Sequence, residues 1–560
     1  MFSAESNLPQ EVEPDNRWHG VRRLSLTGAV FGTLAIWASA TPSLVPRGAA
    51  IQAILAGLCL IVAYGIGAFV GWLYRFFELP VAPSSARRII WIVLLVAAPI
   101  GLLVAGWLGH DWQIDQRELI GMEPGVSSFW IVSSLLGILV AGLLLMVGRG
   151  FVWLGKRVAR FLDKYVPHRV GALVAVIVTA WFGYAVINGI VRDVALTSFD
   201  SIYQGKNEKT DPGVYNPDTV YASGGSNSDL TWDSLGRQGR QFSWQRRTAK
   251  EISKVTGDDA ALEPIRAYVG LGSAEEESNR ADIAVAELKR LGGFERGAIA
   301  VAGATGSGWI DPRSAAAIEF VAHGDVASVT MQYSYLPSWL SFLVDRERAQ
   351  AASNDLINAV RVELNRMAPE DRPQLYVYGE SLGTNAIDSA FTSVENISST
   401  TDGALLVGPP GFDQNFRDIQ AERKPGSPPW KPIYGDGALV RVAGSDAELT
   451  DSELKWETPN RVVYLAHASD PIIAFQTESR SAWLDPRGPG VPSQVRALPI
   501  VGGLQSVVDL FGANATPPGY GHVYDKTVVT AWSEILGPPS LAPAEVRAIQ
   551  AAVKPIDDPK

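Results

Sequence analysis

The sequence predicts a chain in two parts: a helical bundle that spans a membrane, followed by an α/β domain built on a mostly parallel sheet. Two observations support this prediction. The first 200 residues contain long apolar runs without charged side chains, and the remainder alternates short β-branched runs with longer helical patterns. Strands and helices that alternate over this length are typical of a parallel sheet covered by helices on both faces.

Five apolar runs are long enough to cross a hydrocarbon core, which takes roughly 20 helical residues. None of them contains Asp, Glu, Lys or Arg. The runs are Leu24–Val45, Ile51–Tyr74, Ile89–Gly109, Phe129–Gly148 and Val170–Val191. We therefore expect a cytoplasmic tail at 1–23, a five-helix transmembrane domain at 24–192, an extracytoplasmic linker at 193–260 and the α/β domain at 261–560.

Basic residues in the short loops predict the orientation, because loops rich in Lys and Arg resist translocation. The tail and the second and fourth loops carry 12 Lys and Arg residues, whereas the two opposite loops carry Arg47 and Arg117. The N-terminus is therefore expected in the cytoplasm and the α/β domain outside the cytoplasmic (inner) membrane. Ala38-Ser39-Ala40 resembles a signal-peptide cleavage site, but four further spans follow it, which favours an uncleaved first span.

The composition limits the classes of partner and site. The chain of 560 residues has 48 Lys and Arg against 58 Asp and Glu, and this acidic balance argues against non-specific nucleic-acid binding. Its one cysteine, Cys59, excludes an intrachain disulfide. The spans lack the ionisable groups of ion-coupled transport, so we interpret them as an anchor. Their motifs Gly28-x-x-x-Gly32 and Gly67-x-x-x-Gly71 permit close helix contact, within the chain or in a homo-oligomer.

One local motif predicts a nucleophile. After the strand that ends at Tyr378, the sequence reads Gly379-Glu380-Ser381-Leu382-Gly383 and continues into a helical pattern. A sharp turn from strand to helix projects a serine hydroxyl from the carboxyl edge of a sheet, and the flanking glycines give the turn room. Leu382 would open the helix, so its N–H is available to stabilise an oxyanion.

A serine nucleophile needs a base and an orienting acid, which follow it along the chain in this type of site. Asp470 directly follows the strand Arg461–His467, and His522 lies in a glycine-rich loop ahead of a helix. We therefore expect Ser381, Asp470 and His522 to act together. Other residues remain alternatives for these roles: His323 and His467 for the base, and Asp485 and Asp509 for the acid.

The loop Gly303–Trp309 follows an earlier strand and is predicted to supply the second oxyanion donor, at Thr305 or Gly306. A phosphate-binding loop is the weaker interpretation, because no Gly-Lys-Ser/Thr follows. The aromatic stretch Tyr333–Leu343 is expected in the core or in an acyl pocket, and the polar stretch Pro409–Leu454 as a small cap insertion. No spacing of His and carboxylates predicts a metal, and we expect no cofactor.

The chain resembles the membrane-anchored alpha/beta-hydrolase family nine of actinobacteria and proteobacteria. The matching stretches are Trp232–Arg240, Gly303–Trp309, Pro337–Val344 and Gly379–Gly383. The resemblance implies an alpha/beta-hydrolase fold behind a multi-spanning N-terminal domain, with Ser381 as nucleophile. It implies little about the substrate, and it gives the Trp232–Arg240 stretch no chemical role.

The sequence thus predicts a membrane-bound serine hydrolase, of the esterase or lipase kind, that acts on lipid or cell-envelope esters through an acyl-enzyme on Ser381. The substrate class follows only from the expected location beside a membrane. Two alternatives stay open. The same three residues support acyl transfer to an alcohol, and the fold could persist as a non-catalytic membrane scaffold.

Overall fold

The structure is a computed structural model that describes residues 24–80, 82–125, 129–185, 189, 201–274, 277–451, 455–475, 483–484, 487–537 and 541–554. Within these ranges the chain forms a helical N-terminal part and an α/β domain. The two parts are in direct contact, through helix Val501–Asp509 of the α/β domain.

The N-terminal part contains five helices: α1 (Leu26–Ala38), α2 (Ala49–Phe76), α3 (Ser84–Leu119), α4 (Phe129–Leu162) and α5 (His168–Ala185). Three of them, α2, α3 and α4, are long and apolar enough to cross a membrane. This is fewer than the five spans that the sequence predicts, because α1 has only 13 residues and the apolar part of α5 that the structure describes, Val170–Ala185, is also short. At 1.5 Å per residue, α1 covers only about 20 Å.

The two glycine motifs bring α1 and α2 together. A Cβ atom on Gly28 would lie 2.8 Å from the Tyr64 carbonyl oxygen, and one on Gly67 would lie 2.6 Å from the Thr27 carbonyl oxygen. Side chains at these positions would force the two backbones apart. The contact that these glycines make is therefore within the chain.

The α/β domain is built on one sheet of seven parallel strands, which confirms the fold class predicted for this part. The strands are β1 (Ile265–Val269), β2 (Ala298–Gly303), β3 (Val326–Met331), β4 (Gln374–Glu380), β5 (Gly403–Val407), β6 (Val440–Ala443) and β7 (Arg461–Leu465). Their order across the sheet is β1-β3-β2-β4-β5-β7-β6. The central strand β4 is thus flanked by β2 and β5.

Helices cover both faces of this sheet. Their bounds are Gly236–Trp244, Ala249–Thr256, Glu277–Arg290, Pro312–Val321, Ser338–Val344, Arg346–Leu364, Leu382–Asp388, Val394–Thr400, Gln414–Ala421, Asp446–Leu449, Pro471–Ala474, Val501–Asp509, Thr527–Ile535 and Pro543–Ala552. Strand interiors are buried along nearly their whole length, as expected for a parallel sheet packed on two sides.

Two expectations about connecting segments need correction. The stretch Pro409–Leu454 is not all cap, because it contains β6, whose four residues are buried and pair with β7. The segment predicted as a linker also packs on the sheet: Ala222 bridges to Arg266 of β1, and helix Gly236–Trp244 lies against the same strand. The Trp232–Arg240 stretch thereby gains a structural role. The buried Arg240 guanidinium donates to the carbonyl oxygens of Asn207 and Lys209.

A network of buried hydrogen bonds holds the helix Leu382–Asp388 through the side chains of Asn385 and Asp388. Asp388 accepts hydrogen bonds from the Tyr464 hydroxyl at 2.7 Å and from Asn415 Nδ2 at 2.7 Å. Asn385 Nδ2 of the same helix donates to Asp413 at 3.1 Å. Burial, followed by the neighbouring Asp413 carboxylate, raises the pKa of Asp388 well above its ordinary value.

We expect Asp388→Asn to change the pH dependence of stability. A carboxyl whose pKa is raised by folding stabilises the native state below its unfolded pKa and loses that contribution as pH rises through its folded pKa. The asparagine does not titrate, so the melting temperature of the variant should improve relative to the native protein as pH rises above about 4. Thermal unfolding in detergent across this pH range measures the difference.

The matched control is Asp259→Asn, which removes an exposed carboxylate from a loop of the same domain. Its melting temperature should follow that of the native protein at every pH. A difference between Asp388→Asn and the native protein that stays constant from acid to alkaline pH would contradict the expectation.

Candidate functional site

Ser381 lies at the turn between β4 and helix Leu382–Asp388, in a backbone conformation that non-glycine residues rarely adopt. Its φ is 57° and its ψ is −122°. Such a conformation is strained and persists only where the surrounding structure holds it. The Ser381 N–H donates to the Val407 carbonyl oxygen at 2.8 Å, which ties the turn to the end of β5. The serine side chain is thereby presented at the carboxyl edge of the sheet.

Both flanking glycines are required by close backbone contacts. A Cβ atom on Gly379 would lie 2.3 Å from the Gly383 carbonyl oxygen, and one on Gly383 would lie 2.3 Å from the Gly303 carbonyl oxygen. The helix therefore starts directly against β4 and β2. Thr305 reinforces the turn, since its hydroxyl donates to the Glu380 carbonyl at 2.7 Å and accepts the Gly383 N–H at 3.2 Å.

Asp470 and His522 meet in a buried hydrogen bond. His522 Nδ1 lies 2.7 Å from Asp470 Oδ2, and the other carboxylate oxygen accepts the Ile472 N–H at 2.8 Å. Because the aspartate accepts at Nδ1, the proton of a neutral imidazole belongs there and Nε2 is left as an acceptor. Nε2 is buried, and within the described residues no hydrogen-bond partner reaches it.

The imidazole of His522 lies at the same end of the sheet as Ser381. A Cβ atom on Gly408 would lie 2.3 Å from His522 Cε1. Gly408 directly follows Val407, the residue whose carbonyl holds the Ser381 N–H. The end of β5 thus contacts the turn that carries Ser381 and the ring of His522. The predicted serine, acid and histidine are brought to one edge of the sheet.

Tyr524 was missed from sequence and contributes to this arrangement. Its hydroxyl donates to Asp470 Oδ2 at 2.6 Å, and its ring stands edge-on to that of His522. The Asp470 carboxylate therefore has a second charge-assisted donor beside the imidazole, which fixes its orientation. The only signal in the sequence was the position of a tyrosine two residues after the histidine.

The alternative histidines and acids occupy other places. His467 stacks on Tyr524 with ring centroids 4.2 Å apart and contacts the Gly521 carbonyl through Nδ1, and burial lowers its pKa. His323 follows helix Pro312–Val321 and pairs with Asp258 at 2.9 Å, before β3 begins. Asp509 is buried against the N-terminal part. Asp485 lies outside the described residues.

The structure corrects the prediction for the second oxyanion donor. The Thr305 N–H donates to the Trp309 carbonyl at 2.9 Å, and the Gly306 N–H donates to the Tyr333 hydroxyl at 2.7 Å. Neither backbone N–H is available to a substrate in this arrangement. Leu382 is the first residue of its helix, where N–H groups lack an intrahelical acceptor, as predicted.

An acidic residue, Glu380, directly precedes Ser381, and aromatic rings gather among the loops at the same edge of the sheet. Burial, with smaller contributions from Asp311 and Asp470, raises the pKa of Glu380 well above its ordinary value, so this neighbour of the serine favours the neutral form. Phe342 packs against Phe412 and Phe475, with ring centroids 5.0 and 6.1 Å apart.

These three rings come from helix Ser338–Val344 and from the loops after β5 and β7. The aromatic stretch therefore serves in part as core, with Tyr333 and Leu340 buried, and in part as a contact among the loops at the carboxyl edge. Within the ranges that the structure describes, no group of three or more His, Cys, Asp and Glu side chains is arranged to hold a metal ion.

Comparison with known proteins gives two matches along the chain. A sequence model described as an alpha/beta-hydrolase family matches residues 265–549, and one described as the N-terminus of that family matches residues 40–244. No curated protein and no solved structure matches the chain. The first match covers the whole sheet and the site, and the second covers most of the helical part. The chain therefore belongs to alpha/beta-hydrolase family nine, as its motifs suggested.

Proposed function

We propose that this protein is a serine hydrolase that cleaves carboxylic esters through an acyl-enzyme on Ser381. The observation that carries the proposal is the hydrogen-bonded pair of His522 and Asp470 beside the turn that presents Ser381, with no partner for His522 Nε2 among the residues that the structure describes. A serine hydroxyl is a weak nucleophile until a neighbouring base accepts its proton.

In the proposed reaction, Ser381 Oγ attacks the ester carbonyl carbon while its proton passes to His522 Nε2. Asp470 stabilises the imidazolium that forms, and the Leu382 N–H stabilises the oxyanion. The C–O bond to the alcohol then breaks, and His522 returns the proton to the departing oxygen. Water, deprotonated by the same imidazole, attacks the acyl-enzyme and releases the acid and the free serine.

The proposed setting is the outer face of the cytoplasmic membrane. The anchor would comprise all five helices, including the shorter α1 and α5, with the N-terminus in the cytoplasm and the α/β domain on the other side. Direct contact between the α1–α2 connection and the α/β domain supports this arrangement, because both then lie on the same side of the bilayer. Lipid or cell-envelope esters are the substrates that such a location favours.

The first test is labelling of isolated membranes with a fluorophosphonate probe, which reacts with activated serines. We expect the native protein to label and Ser381→Ala to lose the label completely. Ser389→Ala, at the exposed end of the same helix, is the matched control and should label like the native protein. Equal labelling of Ser381→Ala and the native protein would contradict the assignment of the nucleophile.

The second test displaces the imidazole without touching the three proposed catalytic residues. Gly408 and Gly435 have nearly the same positive φ, 55° and 57°, but a Cβ atom meets His522 only at position 408 and meets nothing within 4 Å at position 435. Alanine at either position should cost about 1 kcal/mol of stability through backbone strain. Only Gly408→Ala should also slow hydrolysis of a soluble ester, by about 100-fold, because the ring must move.

The rate of 4-methylumbelliferyl acetate hydrolysis and the melting temperature of both variants make this comparison. Similar activities in Gly408→Ala and Gly435→Ala would show that the position of His522 does not matter for turnover. That result would remove the basis for assigning it as the base.

A further inference from the structure

We propose that the α/β domain inserts an apolar rim into the outer leaflet, and that lipid acyl chains reach Ser381 across it. The rim consists of Trp339, Ile500, Val507 and Phe511. The inference about substrate entry rests on the proposed function of Ser381, whereas the insertion itself can be measured without catalysis.

Helix Val501–Asp509 is fixed against the N-terminal part by one of its faces. Val501 and Val508 belong to a buried cluster with Ala35 of α1 and Leu55 of α2. Polar contacts secure the same face. Asp509 accepts the Ser43 hydroxyl at 2.5 Å and the Leu44 N–H at 3.1 Å, and Gln505 Nε2 donates to the Thr41 carbonyl at 3.0 Å. The helix therefore lies where α1 ends and α2 begins.

A second face of this helix and the residues at its two ends are apolar and exposed. Val507 within the helix is 44 % exposed, and Ile500 just before it and Phe511 just after it are 41 and 63 % exposed. The segment 498–512 has one charged residue, Asp509, and it is buried. The rim holds four of the nine large hydrophobic side chains exposed in the described part of 201–554. Clustering of this kind marks a surface that contacts another apolar phase.

The bilayer is the occupant that the geometry favours. The buried face of helix Val501–Asp509 packs on α2 near Ile51. One turn further along α2, Ile54 is apolar and exposed. The rim is thus continuous with the surface of helices that are long and apolar enough to span a membrane. An uncharged helix face joined to such a span lies at the level of the headgroups and upper acyl chains.

The rim also borders the proposed active site. The Phe511 ring contacts the Trp339 ring, with centroids 6.3 Å apart. Trp339 shares helix Ser338–Val344 with Phe342, which packs on the loops after β5 and β7. The chain that follows helix Val501–Asp509 forms the loop that contains His522. The backbone N–H of His522 donates to the Ala513 carbonyl oxygen at 2.9 Å. Helix Ser338–Val344 begins against Gly306, next to the Thr305 hydroxyl that braces the turn of Ser381. A lipid chain that leaves the leaflet at Phe511 would therefore meet this helix on its way to Ser381.

Insertion is tested with the full chain in phosphatidylcholine vesicles. The one native cysteine is removed by Cys59→Ala, and a single new cysteine is introduced by Phe511→Cys. An environment-sensitive fluorophore is attached to this new thiol. Phosphatidylcholine with a nitroxide on the acyl chain should quench it. The same label at Val362→Cys, which is 50 % exposed on helix Arg346–Leu364, is the matched control and should not be quenched. No quenching at position 511, or energy transfer between labelled copies in place of quenching, would overturn the proposal.

Entry is tested with two esters that share a leaving group. Phe511→Asp should lower hydrolysis of 4-methylumbelliferyl oleate held in the vesicles by about tenfold or more, with soluble acetate turnover and probe labelling of Ser381 unchanged. Val362→Asp should change neither rate. Equal loss on both esters, or no loss on the oleate, would overturn entry across the rim. Loss of probe labelling with quenching intact would instead identify a failure of the proposed function.

Discussion

The hydrogen bond from the Ser381 N–H to the Val407 carbonyl is the constraint on which the site depends. It holds a strained residue, at the turn from β4 into its helix, against the end of β5, and the close contacts of Gly379 and Gly383 leave no room for side chains on either side. Thr384 adds to it, because its hydroxyl lies 2.7 Å from the same carbonyl. Since Gly408 follows immediately and abuts the His522 ring, one strand end sets the positions of the serine and the proposed base.

The acid and the histidine are fixed by a separate set of contacts. Asp470 is held by the Ile472 N–H and the Tyr524 hydroxyl, and Tyr524 in turn stacks on His467. Burial lowers the pKa of His467, so this ring favours the neutral form and acts as a packing surface that adds no positive charge beside the acid. Asp470 Oδ2 is thereby held facing His522 Nδ1.

The features predicted correctly from sequence are those that depend on local sequence patterns. The parallel sheet follows from alternating patterns, and the turn at Ser381 follows from five consecutive residues with a strand before and a helix after. Strand β6 was missed because four buried residues in a Pro- and Gly-rich stretch give no periodic signal. The donors predicted at Thr305 and Gly306 are already engaged: Thr305 pairs with Trp309 across the turn of its own loop, and Gly306 donates to Tyr333, 27 residues later, which no local pattern announces. Asp509 could not be interpreted, because its partner Ser43 lies 466 residues earlier.

That long-range contact fixes how the N-terminal helices and the α/β domain are joined. A flexible tether would only keep the α/β domain near the membrane, whereas here the connection between α1 and α2 binds the segment that leads into the His522 loop. The match to the family's N-terminal region begins at residue 40 and includes this connection, so the docking surface belongs to the same unit as the long apolar helices. Thirteen positions separate Asp509 from His522, and the loop closes on Ala513 directly after the docked segment. The loop of the proposed base is therefore positioned relative to the long apolar helices as well as to the sheet, so the fold itself sets where the proposed site lies relative to the proposed anchor.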